Sequence, residues 1–301
     1  MFWFSPVETY LRVCLFFCGM YPVNGQGVED IKRQIFEPLL STPARRRKYQ
    51  WFLRAIHAFR YMSLSSTRGD LLESYYAAMR RIDDIVDGDA PLPDSVRSRL
   101  AYVEQRMAFV SNPHTPTDPA DILLLYCFSL AERLGFGIME ETHHILQSMH
   151  FDADRIGKMV SRADLQHYFY LRDIVGTIKG ALKVFGDDSK KCFLLEPLGK
   201  ASRMYYVLRD YENEVGRGII NISREDCERL SIASKDLESR LTPGIPAWFR
   251  EQAAIGLQLL QQHRTIMARE PFVPLVRVTL PLVYVQPAER YFQGILHGSI
   301  H

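Results

Sequence analysis

The fold is decided by residues 76–88, which read Tyr76-Ala77-Ala78-Met79-Arg80-Arg81-Ile82-Asp83-Asp84-Ile85-Val86-Asp87-Gly88. Four polar residues of this stretch recur at spacings of four, three and four, the period of one α-helix face: Tyr76, Arg80, Asp83 and Asp87. Gly88 follows at once, and glycine is the residue most typical of a helix end. The stretch therefore predicts the end of a helix with carboxylates on one face.

A second stretch repeats this layout and reads Tyr206-Val207-Leu208-Arg209-Asp210-Tyr211-Glu212-Asn213-Glu214-Val215-Gly216-Arg217. Its polar face has spacings of four, four and three and consists of Tyr206, Asp210, Glu214 and Arg217. Two carboxylates one turn apart weaken a helix by about 0.2–0.5 kcal/mol. Anions in the last turn oppose the helix dipole by about 0.3–1 kcal/mol each. Because both features occur twice, the sequence predicts a compensating cation, whereas either cluster alone could be a solvated helix end.

The residue types indicate which cation this is. Carboxylate ligands without His or Cys suit a hard divalent ion such as Mg²⁺. Magnesium usually completes its coordination with water and a phosphate ester. An arginine beside each cluster would contact the phosphate oxygens that the metal does not bind.

Composition excludes some classes of protein. The 301 residues are 47% hydrophobic and 24% charged, as in ordinary globular proteins, and suffice for one large domain or two small ones. A net charge of +2 argues against a nucleic-acid-binding protein. Five scattered cysteines predict reduced thiols and a cytoplasmic location. The apolar run at residues 13–20 is too short to cross a bilayer and is expected to pack on the protein or to contact a membrane surface.

Nearly every long segment has the pattern of a helix. The candidates include Arg68–Asp87, Arg162–Val184 and Lys190–Val215, and only residues 277–280 alternate like a strand. No repeat and no Gly/Ser-rich linker interrupts the pattern. The prediction is an all-α fold whose helices surround a central apolar cavity.

The two acidic stretches resemble signatures of the squalene/phytoene synthase family. Residues 76–87 match its first signature, Tyr-Ala-x-x-Arg-x-x-Asp-Asp-x-x-Asp, and residues 208–217 are similar to its second, Leu-Arg-Asp-x-x-x-Asp followed by Gly-Arg. Residues 148–152 and 170–178 are weaker matches to its Gly-Met-x-x-Asp and Tyr-x-x-x-Val-Ala-Gly-x-Val elements. The resemblance covers roughly residues 50–295.

This resemblance implies an isoprenoid-synthase-type helical fold, with an N-terminal helical extension over residues 1–45 and a single catalytic domain over residues 46–301. It implies head-to-head condensation of two prenyl diphosphates, either farnesyl or geranylgeranyl diphosphate. The implied cofactor is Mg²⁺, with Mn²⁺ as a substitute, and NADPH is implied only if the product is squalene. The expected partner is thus a prenyl diphosphate, with no nucleic acid and with peripheral membrane contact left open.

Site residues carry over from the resemblance position by position. The metal ligands implied are Asp83, Asp84, Asp87, Asp210 and Glu214, with a lesser role for Asp84, which points away from its neighbours. The catalytic residues implied are Tyr76, Arg80, Tyr170 and Tyr291. The diphosphate-binding residues implied are Arg80, Arg209 and Arg217, with Arg203 and Lys179 as secondary members. The two acidic stretches are expected to face one shared cavity.

Some positions depart from the family pattern. Arg203 and Tyr206 stand where the family has Gln-x-x-Asn, so one metal ligand is replaced. Asp173 and Lys179 stand where small or apolar residues are usual. Arg203 is expected to contact diphosphate or to form a salt bridge, and a buried Lys179 to pair with Asp173 or diphosphate.

These departures leave two other functions open. One is a terpene cyclase that acts on a single prenyl diphosphate on the same fold. The other is a non-catalytic scaffold, which the intact acidic clusters disfavour.

Overall fold

A computed structural model describes residues 25–237 and 242–299, and within these ranges the protein is helical and has no strand. The all-α prediction is therefore confirmed. The chain forms two compact units, which are described separately below. The first comprises Met1–Val96 and Glu104–Met139, and the second comprises Arg97–Val103 and Glu140–His301. The apolar run at residues 13–20 lies outside the described residues, and the division at residue 45 stays a prediction.

The first unit is built around one long helix, α3. Its helices are α1 (Gly25–Leu39), α2 (Pro43–Met62), α3 (Ser66–Asp87), most of α4 (Arg99–Ser111) and α5 (Pro119–Arg133). Helix α3 packs against α1, α2 and α5. Its buried side includes Leu71, Ala78 and Ile82, each completely shielded from solvent. The acidic cluster at the end of α3 is thereby attached to the core of the unit.

Local signals explain where α3 begins and ends. The Ser65 side chain accepts a hydrogen bond from the Arg68 backbone N–H, which caps the N-terminus. Gly88 has φ of +81° and donates its N–H to the Ile85 carbonyl, so it closes the helix in the left-handed conformation that glycine favours. The helix predicted over Arg68–Asp87 is thus confirmed.

The second unit carries the remaining helices. They are α6 (Met139–Asp154), α7 (Arg162–Tyr170), α8 (Lys179–Phe185), α9 (Glu196–Arg209), α10 (Tyr211–Val215), α11 (Arg224–Arg229), α12 (Gly244–Arg269), α13 (Pro274–Leu280) and α14 (Gln286–Leu296). Two π-helical segments, Leu171–Ile178 and Pro281–Val285, and two 3₁₀ turns, Ser189–Phe193 and Ser234–Asp236, connect them. Helix α9 packs against α12, and α12 packs against α14.

One local prediction for this unit was wrong. The segment Lys190–Val215 is not one helix, because it starts as a 3₁₀ turn and breaks at Asp210, where φ is −95° and ψ is 6°. The helix of the second acidic stretch ends at Val215, and Gly216 follows it with φ of −61°, donating its N–H to the Glu212 carbonyl. The left-handed residue is Gly218, with φ of +80°. Residues 277–280, which alternate in sequence like a strand, lie in helix α13.

Candidate active site

The acidic cluster of the first unit is organised by Arg80. Its Nε donates to Asp84 Oδ1 at 2.7 Å and its Nη1 to Asp83 Oδ2 at 2.9 Å, while Nη2 also contacts Asp84. Asp89 lies 3.7 Å from the same guanidinium. The ring centre of Tyr49 lies 5.3 Å from the guanidinium carbon of Arg80, so the aromatic face contacts this cation. One arginine therefore holds two neighbouring carboxylates in a partly buried setting.

Burial controls the electrostatics of this cluster. Burial raises the pKa of Asp84, and the negative charges of Asp83 and Asp89 raise it further. The hydrogen bond from Arg80 opposes this shift. Burial would lower the pKa of Arg80, but Asp83 and Asp84 hold it well above its usual value. Arg80 is therefore charged at every accessible pH, and the cluster keeps at least one permanent cation.

Tyr76 lies one turn before Arg80 and faces aromatic neighbours. Its ring centroid is 4.8 Å from that of Phe52 and 6.1 Å from that of Phe36. Burial raises the pKa of its hydroxyl, with Arg80 opposing this shift. The phenol is therefore neutral at physiological pH.

In the second unit, Arg209 forms a bidentate ion pair with Asp210. Its Nε donates to Asp210 Oδ1 at 2.9 Å and its Nη2 to Oδ2 at 2.5 Å. The guanidinium carbon lies 5.2 Å from the ring centre of Tyr205 and 4.8 Å from that of Tyr206. Tyr206, which replaces the expected asparagine, thus contributes an aromatic face to this arginine.

Glu214 lies one turn beyond Asp210, and its backbone N–H donates to the Asp210 carbonyl at 3.0 Å. Its Oε2 accepts a hydrogen bond of 2.6 Å from Asn221 Nδ2. Burial raises the pKa of Glu214 to about 7, and the negative charge of Asp210 adds to the shift. A bound cation would favour the ionised form of this pair.

Arg203 and Asp173, which both depart from the family pattern, form an ion pair with each other. Arg203 donates to both oxygens of Asp173, through Nε at 2.8 Å and Nη2 at 2.7 Å. The pair is largely buried, and the Arg203 guanidinium carbon lies 5.0 Å from the ring centre of Phe169. Of the two expected alternatives for Arg203, the structure shows the salt bridge.

Lys179 pairs elsewhere than with Asp173. Its Nζ lies 2.8 Å from Glu140 Oε2 and 3.3 Å from Glu141 Oε1. Lys183 Nζ is 2.6 Å from the same Glu141 oxygen. The predicted pairing of Lys179 with Asp173 was therefore wrong, because α6 supplies two nearer carboxylates.

The remaining predicted residues of the second unit have different settings. Tyr291 donates its hydroxyl hydrogen to the Leu208 carbonyl at 3.1 Å, and its ring meets that of Tyr205 edge-on at 5.5 Å. Tyr170 lines a cavity. Arg217 is exposed to solvent.

That cavity lies wholly within the second unit and has a volume of about 610 Å³. Its walls include Phe169, Ile174, Met204 and Val207, and Asp173 and Arg203 also line it. The five carboxylates predicted to bind metal are not among its lining residues. Its surface is mainly apolar, but it also contains the Asp173–Arg203 ion pair and other charged side chains, among them Arg162, Asp226, Arg229 and Glu251.

Sequence reasoning missed Asn221 and Arg155. Asn221 joins Glu214 to Arg155, which is 2% exposed and also binds Asp152. The only signal in the sequence was the position of Arg155, three residues after Asp152 of the Met-x-x-Asp element. Nothing in the sequence showed that the chain after Gly218 returns to this arginine.

No group of three or more His, Cys, Asp or Glu side chains in residues 25–237 and 242–299 is arranged to hold a metal ion. Magnesium sites commonly use one or two protein carboxylates, with water and substrate phosphates as the other ligands. The pair Asp210 and Glu214, with the elevated pKa of the latter, fits such a site.

The chain matches the family described as squalene/phytoene synthase over residues 64–296. This match spans most of the sequence and contains both acidic stretches. The chain belongs to this family. It is therefore a prenyltransferase of the type that condenses prenyl diphosphates head to head.

Two crystal structures have the same fold. One is squalene synthase HpnC from Alicyclobacillus acidocaldarius, with 20% identity and a TM-score of 0.66 over 93% of this chain and 97% of that one. The other is a dehydrosqualene synthase in complex with a ligand, with 18% identity and a TM-score of 0.61 over 90% of this chain and 86% of that one. No curated protein matches the sequence significantly. The isoprenoid-synthase-type fold is thereby confirmed.

None of the helices that the structure describes is long and apolar enough to cross a membrane.

Proposed function

We propose that this squalene/phytoene synthase family member condenses two molecules of farnesyl or geranylgeranyl diphosphate in a Mg²⁺-dependent reaction, with a squalene-type or phytoene-type product. The observation that carries the metal dependence is the setting of Glu214. This carboxyl group is partly buried one turn from Asp210, and its pKa is raised to about 7. A divalent cation with a diphosphate would stabilise both ionised carboxylates.

In this proposal Asp83 and Asp87 of the first unit would serve as Mg²⁺ ligands, and so would Asp210 and Glu214 of the second unit. Mn²⁺ would serve as a substitute because it accepts the same oxygen ligands. Asp84 has a lesser role, since Arg80 contacts it through two nitrogens. Mg²⁺ held by these carboxylates would supply positive charge to neutralise a departing diphosphate.

The arginines complete the neutralisation of the leaving group. Arg80, Arg209 and Arg217 would bind diphosphate oxygens, because a guanidinium offers two parallel donors to a phosphate. Arg203 and Lys179 are secondary, since their charges are already met by Asp173 and by Glu140 with Glu141.

The hydrocarbon part of the reaction needs a dry apolar surface. Allylic cations are stabilised by aromatic faces, and this is the proposed role of Tyr76, Tyr170 and Tyr291. The apolar walls of the second unit's cavity, which include Tyr170, would accept a prenyl chain.

The test is to incubate the purified full-length protein with farnesyl or geranylgeranyl diphosphate and to identify the hydrocarbon by mass spectrometry. A product with twice the carbon number of the substrate, formed with Mg²⁺ and lost with a chelator, is the expected result. Parallel reactions with and without NADPH separate squalene from a dehydrosqualene- or phytoene-type product. A product with the carbon number of one substrate molecule would instead establish cyclisation.

A further inference from the structure

The side-chain amide of Asn221 is held at both ends. Its Nδ2 donates to Glu214 Oε2 at 2.6 Å, and its Oδ1 accepts from Arg155 Nη2 at 2.6 Å. A flipped amide would set its NH₂ against the guanidinium and its oxygen against the carboxylate. These two neighbours therefore determine a single orientation for a side chain that is 9% exposed.

Arg155 is itself immobilised. Its Nε donates to Asp152 Oδ1 at 2.8 Å, and its Nη1 donates to the Ile220 carbonyl at 2.6 Å. The Phe151 ring covers the guanidinium at 5.2 Å. Arg172 supports Asp152 from another side, with Nη1 at 3.2 Å from Oδ2. Asn221 is thus held by a network of hydrogen bonds that extends from α6 to the π-helical segment Leu171–Ile178.

The side chain of Asn221 is neutral, and this affects the charge that Glu214 presents. Its neighbours Arg155 and Glu214 are both ionisable, and an arginine or lysine at position 221 would place a positive charge directly on Glu214. Such a charge would compete with a cation for the same oxygens. An amide N–H instead orients the carboxylate and leaves its negative charge for another partner.

We propose that Asn221 is a positioning residue that sets the direction in which Glu214 meets a divalent cation, with Arg155 holding Asn221 in place. This inference rests on the proposed function, because it takes Glu214 as a cation ligand. Groups that orient metal ligands in this way typically contribute about 10–100-fold to metal affinity.

The experiment compares Asn221→Ala with Asn213→Ala in the full-length protein. Asn213 lies on α10 one residue before Glu214 but is exposed, so the same change is made beside the ligand without touching its orientation. Binding of Mn²⁺ in the presence of inorganic diphosphate is measured by electron paramagnetic resonance. The Kd is expected to rise about 10–100-fold for Asn221→Ala and to stay unchanged for Asn213→Ala.

A second readout separates positioning from folding. Turnover of Asn221→Ala should recover as Mg²⁺ is raised, because the defect is in affinity. A purely structural role would reduce the number of Mn²⁺ ions bound per chain and leave the Kd of the folded fraction unchanged. If Asn221→Ala does not fold, Asn221→Ser, which fills more of the space, should show the same shift in Kd.

The outcomes distinguish the two proposals. A wild-type protein that binds Mn²⁺ with diphosphate, together with an Asn221→Ala or Asn221→Ser variant of equal affinity, overturns the role of Asn221 and leaves the proposed function intact. A wild-type protein that binds no Mn²⁺ under these conditions contradicts the proposed function, and the positioning role is overturned with it.

Discussion

Arg80 and Arg81 are adjacent on α3, yet their contacts differ completely. Consecutive residues of a helix point about 100° apart, so the two guanidinium groups reach different neighbours. Arg80 binds Asp83 and Asp84, whereas Arg81 binds both oxygens of Asp118, at 2.8 and 3.1 Å. Asp118 caps the N-terminus of α5. Arg81 therefore joins two helices, and Arg80 belongs to the acidic cluster.

This difference makes Arg81 a control for Arg80. Arg80→Lys retains the charge but loses the fork that binds two carboxylates or a phosphate, so kcat/KM should fall by about 10²-fold or more. Arg81→Lys should lower the melting temperature and leave kcat/KM of the folded enzyme near the wild-type value. Steady-state kinetics and thermal unfolding measure both effects. An Arg80→Lys enzyme with unchanged kcat/KM and a clearly lower melting temperature would make Arg80 a structural residue.

The carboxylates themselves give the second prediction. Asp83→Asn and Asp210→Asn keep the shape of the side chain but remove a negative charge that the proposed Mg²⁺ site would require. Each is expected to abolish turnover and to leave the helical circular dichroism unchanged. Near-normal activity in either variant would show that the altered residue is not a metal ligand.

At the scale of the element, Gly256 sets the contact between α12 and α14. A Cβ atom at this position would lie 2.4 Å from Cε2 and 2.6 Å from Cζ of Phe292, whose ring is completely buried. The ring has no room to move away, because it is packed on all sides in the core. Glycine is therefore required at position 256 by the close approach of two helices.

Gly256→Ala should destabilise the protein by about 1–3 kcal/mol through overpacking, although alanine is the better helix former. Gly180→Ala is the matched control, since Gly180 also lies in a helix and its added Cβ would be 3.7 Å from the nearest atom, Glu141 Cβ. That variant should be neutral or more stable by up to about 1 kcal/mol. Urea unfolding of both variants measures the difference, and equal stabilities would show that α12 and α14 adjust to the extra methyl group.

Some helix boundaries could be predicted from the sequence, and others could not. Helix α3 was predictable because its end signal, Gly88, is local and its polar face repeats with the helical period. The break at Asp210 was not, because residues on both sides of it keep that period. The π-helical segment Leu171–Ile178 was also missed, since one wider turn barely changes the pattern of apolar residues.

For the whole molecule, the all-α fold and the family were predictable because both acidic stretches are continuous in sequence. Partners that lie far apart in sequence were not. Asn221 reaches Arg155 and Arg203 reaches Asp173 only after helices of the second unit have packed together. Sequence spacing contains no information about such contacts, so candidate ligand residues could be named from the sequence while the side chains that contact them could not.

Stability of the whole molecule should depend on one buried histidine. His263, on α12, is 1% exposed, and neither ring nitrogen has a hydrogen-bond partner among the described residues. Burial lowers its pKa to about 4, and the charge of Arg264 contributes to the shift. In the unfolded chain the pKa of a histidine is about 6.5. Between these values the unfolded chain binds a proton that the folded protein does not, so stability falls as the pH falls.

The expected loss from this group is about 3 kcal/mol in the free energy of unfolding between pH 6.5 and pH 4. His263→Leu removes the titrating group and keeps an apolar side chain in the core, so its stability should depend less on pH by that amount. His297→Leu is the control, because His297 is exposed and should leave the pH dependence unchanged. Urea unfolding at several pH values measures all three proteins. Equal slopes for wild type and His263→Leu would show that His263 becomes protonated without unfolding the protein.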